Sequence, residues 1–238
     1  MGQLREKMQQ DMAIRGFTLR TQQTYLERMR SFVRFHRKSP DLLGLQEIYQ
    51  YQVYLAQEKE VSWCFFNQSV CAIRFFYTKT LHKDWDVRHI PYQKQGRKLP
   101  TVLSKEEVRA VIEVTGNLKH RALIQSLYGA GLRLQEAIRL TYQDIDSQRM
   151  LLHVRQGKGK KDRTVMLSPT LLHALRAYWR SCLVKPTTYL FPGRDRTRPI
   201  TPRSVQRILR EAQTKARIRK PVTPHVLRHY SAFRTITE

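Results

Sequence analysis

This sequence predicts a mainly α-helical protein with one small antiparallel β-hairpin, an α+β arrangement in two domains. Three observations carry that prediction. Apolar residues recur at three- and four-residue intervals through the first ninety positions and again after residue 104. The pattern stops across DVRHIPYQKQGRKLP, residues 86–100. It turns β-like only around residues 149–167.

The elements follow in order. Thr18 is placed to cap a helix running to about Ser39, with Tyr25, Met29, Phe32, Val33 and His36 on one stripe. Arg20, Glu27, Arg28, Arg34 and Arg37 take its other face. A second helix spans roughly Leu45–Lys59 with Ile48, Tyr51 and Leu55 in line, and a third, roughly Trp63–Leu81, buries Phe66, Val70, Ile73 and Tyr77. Helices this short persist only by packing on one another. A helical bundle is therefore expected, with its aromatics as core and not as base-stacking platforms. Two prolines, a glycine and several basic residues make 86–100 an extended linker. The expected domains are 1–88 and 101–238, joined by 89–100.

Beyond the linker, Ser104-Lys105-Glu106-Glu107 has capping-box spacing and starts a helix to about Thr115. Lys119–Tyr128 is a second helix, ending in Gly129-Ala130-Gly131, and Arg133–Leu140 a short third. Arg149–Arg155 and Arg163–Leu167 read as strands joined by a polar, glycine-bearing GKGKKD tip. Pro169–Arg180 is helical with Leu171, Leu172, Leu175 and Trp179 facing in. Tyr189-Leu190-Phe191-Pro192 begins a loop, and Arg194–Arg198 is strongly basic. Thr201 caps a helix through Val205, Ile208, Leu209 and Ala212, and Thr223-Pro224 starts another.

Charge narrows the partners. Forty-four Lys+Arg against nineteen Asp+Glu leave the chain at +25. Residues 1–90 hold 14 and 9 of these, a net +5, and residues 91–238 hold 30 and 10, a net +20. So basic a chain collects polyanions, nucleic acid first. Cys64, Cys71 and Cys182 have no paired spacing, so reduced thiols and no metal site are expected, with core packing for Cys64 and Cys71. The polar start MGQLREKMQQ is no signal peptide, and no apolar run is long enough for a span. The expected setting is cytoplasmic, in a bacterium and with the nucleoid, with no membrane partner.

Four features in a fixed order carry the function: LYGAGLRLQEAIRLTYQDID at 127–146, HVRQGKGKKDRTVML at 153–167, TPHVLRH at 223–229, and the helical module before them. Any one of these motifs is weak alone. Together they resemble the tyrosine recombinases, especially the Xer-like, integron and phage integrases, from about Arg5 to Arg228. The resemblance implies a SAM-like core-binding bundle that clamps DNA, followed by a mixed catalytic domain. It makes Arg133 and Arg228 the two catalytic arginines, His225 the histidine paired with the second, and Lys158 the hairpin lysine. Lys160 and Lys161 are rivals for that last role. Glu136 matches an acidic position that orients the pocket, or else pairs with Arg139 on the helix surface. Arg163, Arg194, Arg196 and Arg203, with Lys160 and Lys161, are expected on DNA phosphates.

The chemistry suits those residue types. Breaking a phosphodiester without metal needs fixed donors on the non-bridging oxygens, which two forked arginines supply. A lysine protonates the departing 5′ oxygen and a histidine relays the proton. No cofactor and no metal ion are called for. The expected partners are double-stranded DNA and further recombinase protomers on it. The resemblance also implies a tyrosine nucleophile a few dozen residues beyond Arg228. Here Tyr230 is the sole tyrosine after Arg228, on about the same turn, and is not taken as the nucleophile. The expectation is a truncated copy from a mobile element, cleavage-deficient alone, with exposed apolar area and weak stability. The alternative is a DNA-binding module that occupies recombination sites without cutting them.

Overall fold

Side-chain oxygens start most of the helices. In a computed structural model of the chain, which describes residues 2–94, 96, 101–155 and 162–228, Thr18, Ser62, Ser104, Asn117, Ser168 and Thr201 each accept the backbone N–H three residues on. Each removes one of the orphan donors that a helix N-terminus leaves. Ser104 and Glu107 complete the reciprocal box, with Glu107 accepting the Ser104 N–H at 2.7 Å. These starts are local in sequence, which is why spacing predicts them.

The chain divides into two compact units, residues 1–98 and 99–238. The first contains α1 (Gly2–Ile14), α2 (Leu19–His36), α3 (Leu45–Val53) and α4 (Trp63–Phe75). The expected second and third helices are present but end differently. Each finishes in a wide π turn, Tyr54–Glu58 and Phe76–Thr80, closed by Lys59 N–H on Tyr54 O and Leu81 N–H on Phe76 O. Phe32, Ile48, Tyr51, Leu55, Ile73 and Tyr77 are fully buried. The polar tips of the buried tyrosines are matched: Tyr51 donates to Ser31 at 2.9 Å and Tyr77 to the Pro40 carbonyl at 2.7 Å.

Helix α1 lies within the ninety residues read as helical, though spacing set no bounds for it; it buries just Met8 and Met12. Two expectations for this unit need correction. Cys64 is exposed, not core, because it sits on the outer face of α4. The stretch read as an extended linker is, through residue 94, stitched to the bundle. Ile90 is buried, its carbonyl accepts from Arg74 Nε, and the Gln93 backbone bonds to Trp63 and Asn67. Residues 95 and 97–100 lie outside the described residues.

The second unit contains α5 (Lys105–Glu113), α6 (Leu118–Gly129), α7 (Leu134–Ile138), β1 (Ile145–Asp146), β2 (Leu151–Val154), β3 (Arg163–Met166), α8 (Pro169–Ser181) and α9 (Pro202–Lys215), then a helical turn at 224–228. The sheet is antiparallel in the order β1-β2-β3, with Leu152 opposite Val165 and Val154 opposite Arg163. Leu152 and Val154 turn inward onto a core that includes Leu123, Ile124, Leu127, Leu171 and Leu209. Helix α6 packs against α8. On α8, Leu171, Leu175 and Tyr178 are buried, while Leu172 and Trp179, expected inside, are only partly covered. Strand β1 is two residues long and carries no alternation to read. Among the described residues no helix is long and apolar enough to cross a membrane.

The side-chain clasp on Gln93 gives a direct test. Asn67→Ala removes an acceptor from the Gln93 N–H and a donor to its carbonyl. It should cost the first unit about 1 kcal/mol or somewhat more. Amide hydrogen exchange should show loss of protection at Gln93, with the α2 amides unchanged.

Candidate functional site

The chain enters the site through a turn that only a few residues can make. Gly131 adopts φ +57° after α6, a left-handed conformation that glycine takes without strain. Leu132 is then buried, which fixes Arg133 at the N-cap of α7 and puts Glu136 one turn later. Glu136 Oε2 accepts the Arg133 backbone N–H at 2.8 Å, and Oε1 accepts Arg133 Nη1 at 2.8 Å.

Two distant segments converge on the same carboxylate. Arg163, the first residue of β3, donates Nη1 to Oε1 and Nη2 to Oε2, both at 2.7 Å. This is a two-pronged pair, the strongest geometry available between these groups. Arg228 reaches in from the 224–228 turn, which the buried Val222 and Leu227 pin to the core. Its Nη1 lies 3.6 Å from Oε2 and is buried without a hydrogen bond. The Glu136 side chain is 6% exposed, against 41%, 32% and 29% for Arg133, Arg163 and Arg228.

Three cations around one anion leave the cluster at about +2. Burial pushes the Glu136 carboxyl up, but the hydrogen bonds from Arg163 and Arg133 outweigh it and hold the pKa down to about 2. Burial pulls Arg228 down first, and the neighbouring Arg133 adds to that. Glu136 pushes Arg163 up. The carboxylate is thus fixed as an anion, and the surplus positive charge, with Arg228 Nη1 making no hydrogen bond among the described residues, makes the cluster receptive to a further anion.

The other predicted residues divide. His225 is exposed and lies three positions before Arg228 on the same helical turn, which Thr223 Oγ1 caps through the Val226 N–H at 3.2 Å. Lys158, Lys160, Lys161 and Tyr230 lie outside the described residues. Arg194 and Arg196 are exposed on the loop before α9, and Arg203 on the first turn of α9. Among the described residues no ion pair joins these three to the Glu136 cluster. Glu136 pairs with Arg133, Arg163 and Arg228, and Arg139 is exposed.

Sequence reasoning missed a second buried carboxylate. Asp144 Oδ2 accepts the Thr141 N–H at 2.9 Å and its hydroxyl at 2.7 Å, and Oδ1 lies 2.8 Å from Arg155 Nε. The Thr-x-x-Asp spacing at 141–144 was a visible signal for it. Arg133, Glu136, Arg139, Asp144, His153 and Arg155 help line a cleft of about 720 Å³ beside the cluster. No group of three or more metal-ligating side chains occurs among the described residues.

Comparison with known proteins agrees with this layout. The profile of the Phage integrase family matches residues 101–238, and that of the Phage integrase N-terminal SAM-like domain matches residues 4–87. The Sinorhizobium fredii protein y4qK, named as an integrase/recombinase, is 46% identical over 230 residues, covering 96% of this chain and 74% of its own. Among solved structures, the XerA recombinase is 28% identical with a TM-score of 0.53, covering 99% of this chain and 84% of that one. The Tn1549 transposon integrase in complex with circular intermediate DNA is 17% identical with a TM-score of 0.71, covering 98% and 87%. That last likeness speaks for the fold.

The Glu136 cluster carries a pH signature. Its carboxyl falls from 4.5 to about 2 on folding, so the stabilisation is complete above pH 4.5 and fades as pH falls toward 2. The full shift corresponds to roughly 3 kcal/mol. In urea unfolding followed across pH, the stability gap between wild type and Glu136→Gln should narrow by about that amount between pH 5 and pH 2.

Proposed function

This chain belongs to the phage integrase family, and on that premise we propose that it grips duplex DNA and holds one backbone phosphate against Arg133 and Arg228. The observation that carries the reading is the Glu136 cluster, a cationic pocket with a buried, unsatisfied Arg228 nitrogen at its edge. The net +20 of residues 91–238 supports a polyanionic partner. So does the DNA in the complex of the Tn1549 integrase. Further protomers on the same DNA are part of the proposal.

The chemistry is site-specific strand exchange. A tyrosine hydroxyl attacks the phosphorus in line, forming a phosphorus–tyrosine oxygen bond as the bond to the 5′ oxygen breaks. The products are a 3′-phosphotyrosine and a free 5′ hydroxyl; attack by another 5′ hydroxyl reverses the step and joins strands. Arg133 and Arg228 fork onto the non-bridging oxygens and stabilise the charge that develops there. Lys158 gives the 5′ oxygen its proton, and His225 relays the proton. Glu136 anchors Arg133 through its backbone N–H and one side-chain nitrogen, with Arg228 alongside at ion-pair distance.

The nucleophile is the step that these residues do not assign. Tyr230 stands two positions after Arg228 in the sequence and lies outside the described residues. The proposal gives it no part. A polypeptide of just these 238 residues, assayed alone, is therefore expected to occupy a recombination site without cutting it.

Binding should fall steeply with salt, since phosphate contacts dominate. A clamp with several such contacts loses at least about a thousandfold in affinity between about 50 and 200 mM salt. Arg133→Ala with Arg228→Ala should lower the slope by about 2. On duplexes with a nicked or trapped strand, residues 1–238 should give a band shift and no adduct that survives denaturant. A shallow salt slope would sink the DNA grip, and a phosphotyrosine-linked adduct would return the nucleophile to this chain.

A further inference from the structure

A carboxylate has two oxygens and room for about four donors. Glu136 has filled that room. Oε1 takes Arg133 Nη1 and Arg163 Nη1; Oε2 takes the Arg133 backbone N–H and Arg163 Nη2. Arg228 comes as close as 3.6 Å and makes no hydrogen bond from that nitrogen. Arg133 spends one side-chain nitrogen on the carboxylate and keeps the rest of its fork, with the side chain still 41% exposed.

We propose that Arg163 is a positioning residue: by occupying Glu136 with both prongs it keeps that carboxylate from capturing Arg228 and the second prong of Arg133, and so leaves those donors to a phosphate. This rests on the DNA-phosphate reading of the pocket. Arg163 is not itself a phosphate ligand in this account, because its fork is turned inward. Removing it frees two acceptor positions on a buried anion. Arg228 is near enough to take one and the second prong of Arg133 the other. A phosphate would then have to displace a charge-assisted bond that the wild-type pocket does not contain.

The two-pronged geometry matters as much as the charge. Lysine offers a single ammonium and cannot span both oxygens. Arg163 also opens β3, straight after the hairpin tip, and bridges to a residue 27 positions earlier. The same bridge therefore ties the base of the hairpin to the start of α7.

The test uses the full chain and a short fluorescent duplex, with Arg163→Ala, Arg163→Lys, Glu136→Gln and the Arg163→Ala/Glu136→Gln pair. Both single changes at Arg163 are expected to weaken binding about tenfold, equivalent to about 1.4 kcal/mol. In the Glu136→Gln background, where no anion remains to capture arginines, Arg163→Ala should change binding by less than about twofold. A direct phosphate ligand behaves otherwise: lysine would keep most of the affinity, and the two changes would add. Either result overturns the proposal.

Near-ultraviolet circular dichroism checks the fold of each variant. If Arg163→Ala does not fold, Arg163→Lys, which retains a cation beside Glu136, carries the same comparison. The Glu136 carboxyl, titrated by ¹³C NMR in the DNA-free chain, reads the bridge without reference to DNA. Its pKa should rise in both Arg163 variants; an unchanged value overturns the proposal. A wild-type chain that binds no duplex would instead remove the parent reading, and the titration keeps the two failures apart.

Discussion

The site in the second unit depends on one buried carboxylate and the arginines gathered on it. Glu136 alone would be a costly anion to bury, and Arg133, Arg163 and Arg228 alone would repel one another. Together they convert two penalties into one ion cluster with a surplus of positive charge. The cluster also fixes geometry, because its three arginines come from the start of α7, the start of β3 and the 224–228 turn. Removing the central carboxylate would leave three like charges facing one another without their counter-ion, so the arrangement of the arginines depends on Glu136.

The rest of the second unit delivers those three points to one place. The left-handed Gly131 and the buried Leu132 set the entry to α7. The pairing of Val154 with Arg163 sets where β3 begins. Val222 and Leu227 press the last described turn into the core. Each constraint is apolar packing or backbone geometry, yet each specifies a charged side chain to within ion-pair distance of Glu136. The hydrophobic core and the electrostatic site are in this sense one structure.

Much of this was legible because it is local. The caps at Thr18, Ser104 and Thr201 follow from residues three apart, and the apolar stripe of α9 follows from helical spacing. The order of Arg133, the glycine-bearing hairpin and His225-x-x-Arg228 was enough to suggest the family. What sequence did not yield is what depends on long-range register. The inward fork of Arg163 is set by strand pairing and by a partner 27 residues away. The clasp of Trp63 and Asn67 on Gln93 joins a helix to a segment with no period of its own. Helix α1 fell in the stretch read as helical but was given no bounds, because its buried face is two methionines.

The central claim is that Arg133 and Arg228 are the open hands of this pocket while Arg163 is already occupied. Guanidinium-resolved ¹⁵N NMR during titration with duplex DNA tests that most directly. The Arg133 and Arg228 signals should shift and sharpen as phosphate binds, and the Arg163 signal should stay where it is in the free chain. A shift confined to Arg163, or silence from both Arg133 and Arg228 while the duplex binds, would contradict it.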